Sequence, residues 1–122
     1  MSDVVVTVPK WFWLEWIAEG DAAGDPPTGE QWDYTTGGAT PRIVPGDRVY
    51  IVAHGKLRGY APLVALHITP PSRERPHQSI SFIRGGGALA VTIDTAIPGF
   101  RGWRYRWWDL DQERPFPDWR TP

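Results

Sequence analysis

Proline and glycine interrupt this chain so often that only short elements fit between the breaks: there are thirteen of each in 122 residues. Pro9, Gly20, Pro45-Gly46, Gly55, Pro70-Pro71 and Gly85-Gly86-Gly87 separate runs of strand length, most of them rich in β-branched or aromatic residues. Val4-Val5-Val6-Thr7-Val8 reads as a buried strand. Lys10–Glu19 reads as a helix, because Pro9 suits a first helical turn and Gly20 a stop. Helical spacing gathers Trp13, Trp16 and Ile17 on one face and Trp11, Leu14 and Ala18 on the next, leaving Glu15 and Glu19 for solvent. An apolar arc that wide is either packed on two sides or lines a pocket.

From Asp21 to Pro45 the residues are those of a loop, with Asp25-Pro26-Pro27 and Gly37-Gly38 in it and a short edge strand at Gln31–Thr35. Carrying Trp32 and Tyr34, this loop is expected to act as a lid. Pro45-Gly46-Asp47 is a turn, Arg48–Ala53 a strand, His54-Gly55 a hairpin turn and Lys56–Leu66 the returning strand. Two-residue alternation would put Leu57, Gly59, Ala61 and Leu63 on one face and Lys56, Arg58 and Tyr60 on the other. Gly59 marks a close approach and Pro62 an edge or bulge.

After a polar loop over Thr69–Gln78, Ser79–Arg84 and Ala88–Ile93 read as strands joined by the glycine run. That run is a turn and not a phosphate loop, since no Lys-Ser/Thr follows it. Phe100–Trp108 is the last expected strand, with Arg101, Trp103, Tyr105 and Trp107 on one face and Arg104 and Arg106 on the other. The proline-rich tail Arg114–Trp119 is expected to pack back through Phe116 and Trp119.

A chain of 122 residues, 41% hydrophobic and 22% charged, fits one soluble domain over 1–122 that builds its core without a staple. The absence of cysteine excludes disulfides, thiolate metal sites and a cysteine nucleophile. No apolar run reaches membrane-spanning length, and Met1-Ser2-Asp3 does not resemble the start of a signal peptide, so the expected location is cytoplasmic, away from membranes.

Charge is unevenly spread. Residues 1–33 set seven acids against Lys10, residues 34–108 ten Lys/Arg against three acids, and residues 109–122 four acids against two arginines. The basic middle either faces an anionic partner or is covered by the acidic ends. Eleven of the thirteen cations are arginine and eight residues are tryptophan, a pairing suited to stacking planar groups and gripping phosphates.

Residues Pro45-Gly46-Asp47-Arg48-Val49 and Gly55-Lys56-Leu57-Arg58-Gly59-Tyr60-Ala61-Pro62-Leu63-Val64 resemble the "GD-x-V" and "G-x-I/L-x-G-x-A-x-V" strands of the PUA-like superfamily, especially its ASCH and EVE branches. The resemblance implies an α+β fold: a small, mostly antiparallel PUA-like β-barrel with one or two helices and a cleft beside the first helix. It also implies binding of RNA or modified bases, or hydrolysis of modified nucleosides. The ASCH signature "G-x-K-x-x-E-x-R" is absent. Lys10 could match the lysine of the ASCH amidohydrolases, but Trp13 stands where their hydroxyl falls and no glutamate lies between Gln31 and Arg73.

Three functions fit these residues. The first is a nucleic-acid-binding module for RNA or DNA, or for a modified nucleoside, with Trp11, Trp13, Trp32, Tyr34 and Trp103 around a base and Arg42, Lys56, Arg58, Tyr60, Arg101 and Arg104 on phosphates. The second is a hydrolase using Lys10 with Glu15 or Asp33, and the third a protein–protein adaptor with an aromatic surface. None of them invokes a metal or cofactor: His54, His67 and His77 lack metal-ligand spacing, and no Gly-x-Ser-x-Gly elbow is present.

Overall fold

The computed structural model describes residues 2–19, 29, 31–86, 88–116 and 119. In chain order the elements are β1 (Val4–Thr7), α1 (Lys10–Ala18), β2 (Gln31–Gly37), β3 (Arg48–Ala53), β4 (Lys56–Thr69), β5 (Ser79–Gly85), β6 (Val91–Thr92), β7 (Trp103–Tyr105), a 3-10 turn (Leu110–Gln112) and β8 (Arg114–Pro115). Six strands form one sheet in the order β2-β5-β4-β3-β1-β7, and β6 pairs separately with β8. Only β1 and β3 run parallel. Among the described residues the architecture is therefore α+β, with one α-helix on a mostly antiparallel sheet.

The expected barrel is not closed. Among the described residues the sheet ends at β2 and β7, and no ladder joins them. Their ends touch through side chains and loop backbone instead: the Trp103 indole N–H donates to the Ala39 carbonyl at 2.7 Å.

The turn residues do what their chemistry requires. Asp47 N–H donates to the Val44 carbonyl at 3.0 Å with Gly46 at φ 95°, the geometry of a type II turn with proline and glycine at its centre. Asp47 is buried and its Oδ2 accepts the Val44 N–H at 3.1 Å, so this acid of the shared motif is a structural group. His54 and Gly55, at φ 54° and 75°, form the two-residue turn between β3 and β4.

β1 is buried on both faces, as an unbroken β-branched run predicts. Val4 and Val6 join the core under α1, with Val49, Ile51, Leu63, Ile80 and Phe82. Val5 joins a second core on the far face, with Tyr50, Val52, Leu57, Ile97 and Trp108. On α1, Trp13 and Trp16 are buried, whereas Trp11 and Leu14 stay exposed. The helix ends one residue early, at Ala18, with Glu19 N–H closing on Glu15. Trp119 returns to the core and lies 4.8 Å from Trp13, ring to ring, as expected of the tail.

β4 departs from simple alternation. Ile51 pairs with Gly59 and Val52 with Leu57, which leaves Arg58 as the extra residue of a β-bulge. The bulge resets the faces: Leu57 and Tyr60 look to the far core, while Arg58, Ala61 and Leu63 look toward α1. Gly59 is the predicted close approach. A Cβ there would overlap the Leu89 carbonyl and come within 2.6 Å of Trp119. A second register shift after Leu63 bends β4 again, and the strand continues past the expected Leu66 to Thr69.

Three other expectations change. Trp32 and Tyr34 sit on β2, a full seven-residue strand against β5, and not on a lid. Ala88–Ile93 is not one strand: Leu89 exchanges both backbone hydrogen bonds with Tyr60, after which Val91–Thr92 leave to pair with β8. Phe100–Trp108 keeps strand geometry only at Trp103–Tyr105. Past that point Arg106 turns back to Asp3, at 3.3 Å, and to the Trp108 carbonyl. The expected helix stop at Gly20, the loop over residues 21–28 and the Gly87 position lie outside the described residues. Among the described residues no helix is long and apolar enough to cross a membrane.

Candidate functional site

The unjoined sheet edges leave a groove of about 430 Å³, lined by Tyr34, Thr36 and Gly37 from β2 and by Arg101 and Gly102 before β7. Alternation on β2 turns Trp32, Tyr34 and Thr36 inward and leaves Gln31, Asp33 and Thr35 exposed. Tyr34 is half-buried, its ring edge-on to Phe12 at 6.0 Å. Burial raises its pKa above the ordinary tyrosine value, so the phenol stays neutral and can donate.

On the opposite bank, Gly102 adopts φ 74°, and a Cβ there would stand 3.6 Å from the Gly37 carbonyl. The two banks thus come within van der Waals range of each other at one end of the groove. β7 also holds the preceding loop in place. Besides the Trp103–Ala39 bond, the Tyr105 hydroxyl accepts the Arg42 N–H at 2.9 Å, and the Trp103 and Tyr105 rings meet edge to face at 4.7 Å. Arg42, Arg101 and Arg104 are exposed, and Arg104 lies over Phe100 at 4.4 Å.

A second polar constellation occupies the far face of the sheet. Glu113 Oε2 accepts from the Tyr50 hydroxyl at 2.6 Å and from the Trp108 indole at 2.8 Å, while Oε1 faces Arg48 Nη1 at 3.5 Å. Arg48 Nη1 also donates to the Tyr50 oxygen at 2.9 Å, and its guanidinium lies 4.2 Å over the Tyr60 ring. Burial and the Glu113 carboxylate push the Tyr50 pKa far above its ordinary value. A capping box between Asp109 and Gln112 sets the 3-10 turn that presents Glu113. Sequence reasoning missed this group, whose members are separated by up to 65 residues. The one local signal was the Asp109-x-x-Gln112 spacing.

The predicted site residues fall into separate places. Trp13, Trp32 and Arg58 are corrections, because all three lie in the core, Trp13 and Arg58 almost completely buried. Arg58 reaches the Ala53 carbonyl with Nε at 3.0 Å and stands 5.9 Å from the Trp13 ring. Trp32 flanks Arg84, whose guanidinium lies between it and Trp16 at 5.0 and 4.5 Å. Tyr34, Trp103, Arg42 and Arg101 are gathered around the groove and the loop beside it. Trp11 is exposed next to Phe12, at 5.3 Å between rings.

Lys56 and Tyr60 belong elsewhere. Lys56 lines a cavity of about 440 Å³ with Asp94, Arg114 and Phe116, and Tyr60 lines another with Arg48 and Glu113. Lys10, Glu15 and Asp33 are all exposed, and among the described residues no hydrogen bond or ion pair joins any two of them. No family model, curated protein or solved structure matches this chain.

Proposed function

We propose that this protein is a nucleic-acid-binding module that takes an unpaired or extruded base into the groove between β2 and β7. The observation that carries this is the meeting of the half-buried Tyr34 ring and the exposed Arg101 across a cleft bounded by two glycines. An aromatic face accepts any base by stacking, and adjacent guanidiniums neutralise its phosphates. Arg101 supplies a cation in the groove wall, and the exposed Arg42 a second one on the loop that Tyr105 holds. Trp103 has its indole N–H committed to Ala39, so it shapes the groove and does not read a base edge. The PUA-like resemblance, with its history of RNA and modified-base recognition, supports the same function.

Tryptophan-fluorescence titration with short single-stranded RNA and DNA, and with modified nucleosides, tests the proposal. Tyr34→Ala should weaken oligonucleotide binding by about 1–3 kcal/mol at all salt concentrations. Arg101→Gln should flatten the dependence of log affinity on log salt by about one phosphate contact. Salt-independent binding, or equal loss from both variants with no change of slope, would overturn the assignment.

A further inference from the structure

We infer a second ligand site, on the sheet face opposite α1, that takes a small molecule with an apolar body and one carboxylate. The cavity there measures about 480 Å³, a size typical of small-molecule sites. Its apolar walls include Tyr60, Leu89 and Leu110, and the two leucines are 51% and 49% exposed. Large aliphatic groups left half in water beside a fixed cation are what an amphipathic anion would cover.

Arg48 is the fixed cation. Its plane is set by Tyr60 beneath it and its Nη1 by Tyr50 and Glu113. Among the described residues nothing accepts from its Nε or Nη2, which form the edge that grips a carboxylate in two-point fashion. Holding the guanidinium in advance removes the rotamer cost of ordering it on binding. Glu113 does not compete for a cationic ligand: its side chain is 8% exposed and its oxygens already take three donors.

Arg114 adds a second guanidinium to the lining. It pairs with Asp94, but at 61% and 79% exposure the pair is weak enough for a ligand carboxylate to replace it. The charge balance selects a monoanion. Arg48 and Arg114 are matched by Glu113 and Asp94, so a phosphate dianion would leave excess negative charge, whereas one carboxylate that displaces Asp94 would not.

The probes are 3-phenylpropanoate and its uncharged amide, added to the full chain and followed by backbone amide chemical shifts. Saturable shifts at Leu89 and Leu110 with the carboxylate, and binding about tenfold weaker with the amide, are expected. Arg48→Gln should weaken the carboxylate about tenfold and leave the amide unchanged. Leu110→Asp, on an exposed wall, guards against a folding artefact: it should abolish binding while the rest of the spectrum is retained. Equal affinity for the two probes, shifts centred on Tyr34 and Arg101, no shift at millimolar probe, or unchanged binding to Leu110→Asp would each overturn the inference. Failure here leaves the nucleic-acid groove standing, because the two sites share no lining residue.

Discussion

Both faces of the sheet pair arginine with aromatic rings, yet they do so differently. Under α1, Arg84 stands over the rings of Trp16 and Trp32 and Arg58 near those of Trp13 and Phe116, each arginine 1% exposed. On the far face Arg48 rests, among the described residues, on one ring only, and its side chain remains 31% exposed at the rim of a cavity. A guanidinium enclosed by rings is part of the core, whereas one stacked on a single side keeps an edge to offer. Counting arginines and tryptophans in the sequence cannot separate these two uses.

Unpacking the enclosed side should have the largest effect. Trp13→Ala removes the ring that touches Trp16, Trp119 and Arg58, and chemical denaturation should show a loss of about 3–5 kcal/mol. A loss below 1 kcal/mol would mean that the helix face is not the structural one.

Replacing the anchor of the open side should have a smaller effect. Glu113→Gln keeps the shape but leaves the donors of Tyr50, Trp108 and Arg48 facing a neutral amide, with an expected cost of about 1–3 kcal/mol. Ultraviolet titration should also show the Tyr50 pKa falling toward its ordinary value, because the carboxylate that disfavours tyrosinate is gone. An unchanged Tyr50 titration would assign its whole shift to burial.

The smallest expected effect concerns His54, beside the enclosed face. Its Nε2 is buried without a hydrogen-bond partner. Burial and the neighbouring charges of Arg58 and Lys10 hold its pKa below the usual histidine value, with a hydrogen bond to the Lys10 backbone opposing them. The unfolded chain therefore takes up the proton first as pH falls through the ordinary histidine range. Stability present at neutral pH should be lost across that window, and the loss should level off below the folded-state pKa. His54→Asn keeps a residue that tolerates positive φ and should remove this part of the pH dependence in denaturation curves.

Much of the fold was legible because it is written in local signals. Pro45-Gly46-Asp47 made its turn, the valine run of β1 was buried on both faces, and Gly59 admitted the backbone of Leu89 and Ala90. The inward turn of Arg58 was not legible, since a bulge inserts one residue and reverses the alternation on which the reading relied. Nor did Phe100–Trp108 hold as one strand, because Arg106 is drawn to Asp3, an acid more than a hundred residues earlier.

The candidate site was legible only in part. Arg101 and Trp103 were named from alternation and Tyr34 from its place on an expected lid, and they do lie in one region, because β2 and β7 are the two outer strands of the sheet. The Glu113 group had no such route. The bonds from Glu113 to Arg48 and Tyr50 join residues more than sixty positions apart, and only three-dimensional packing brings them together.

The place of Trp119 in the core sets a timetable for the chain on the ribosome. The meander β3-β4-β5 is built from neighbouring segments and can form as soon as residue 85 has emerged. β1 needs β3 on one side and β7 on the other, and the Trp13 ring lacks one of its partners until residue 119 arrives. β1 precedes the meander in the chain and yet is completed after it. During that interval a valine strand and an aromatic helix await their cover, apolar surface of the kind that makes an unfinished chain prone to aggregation.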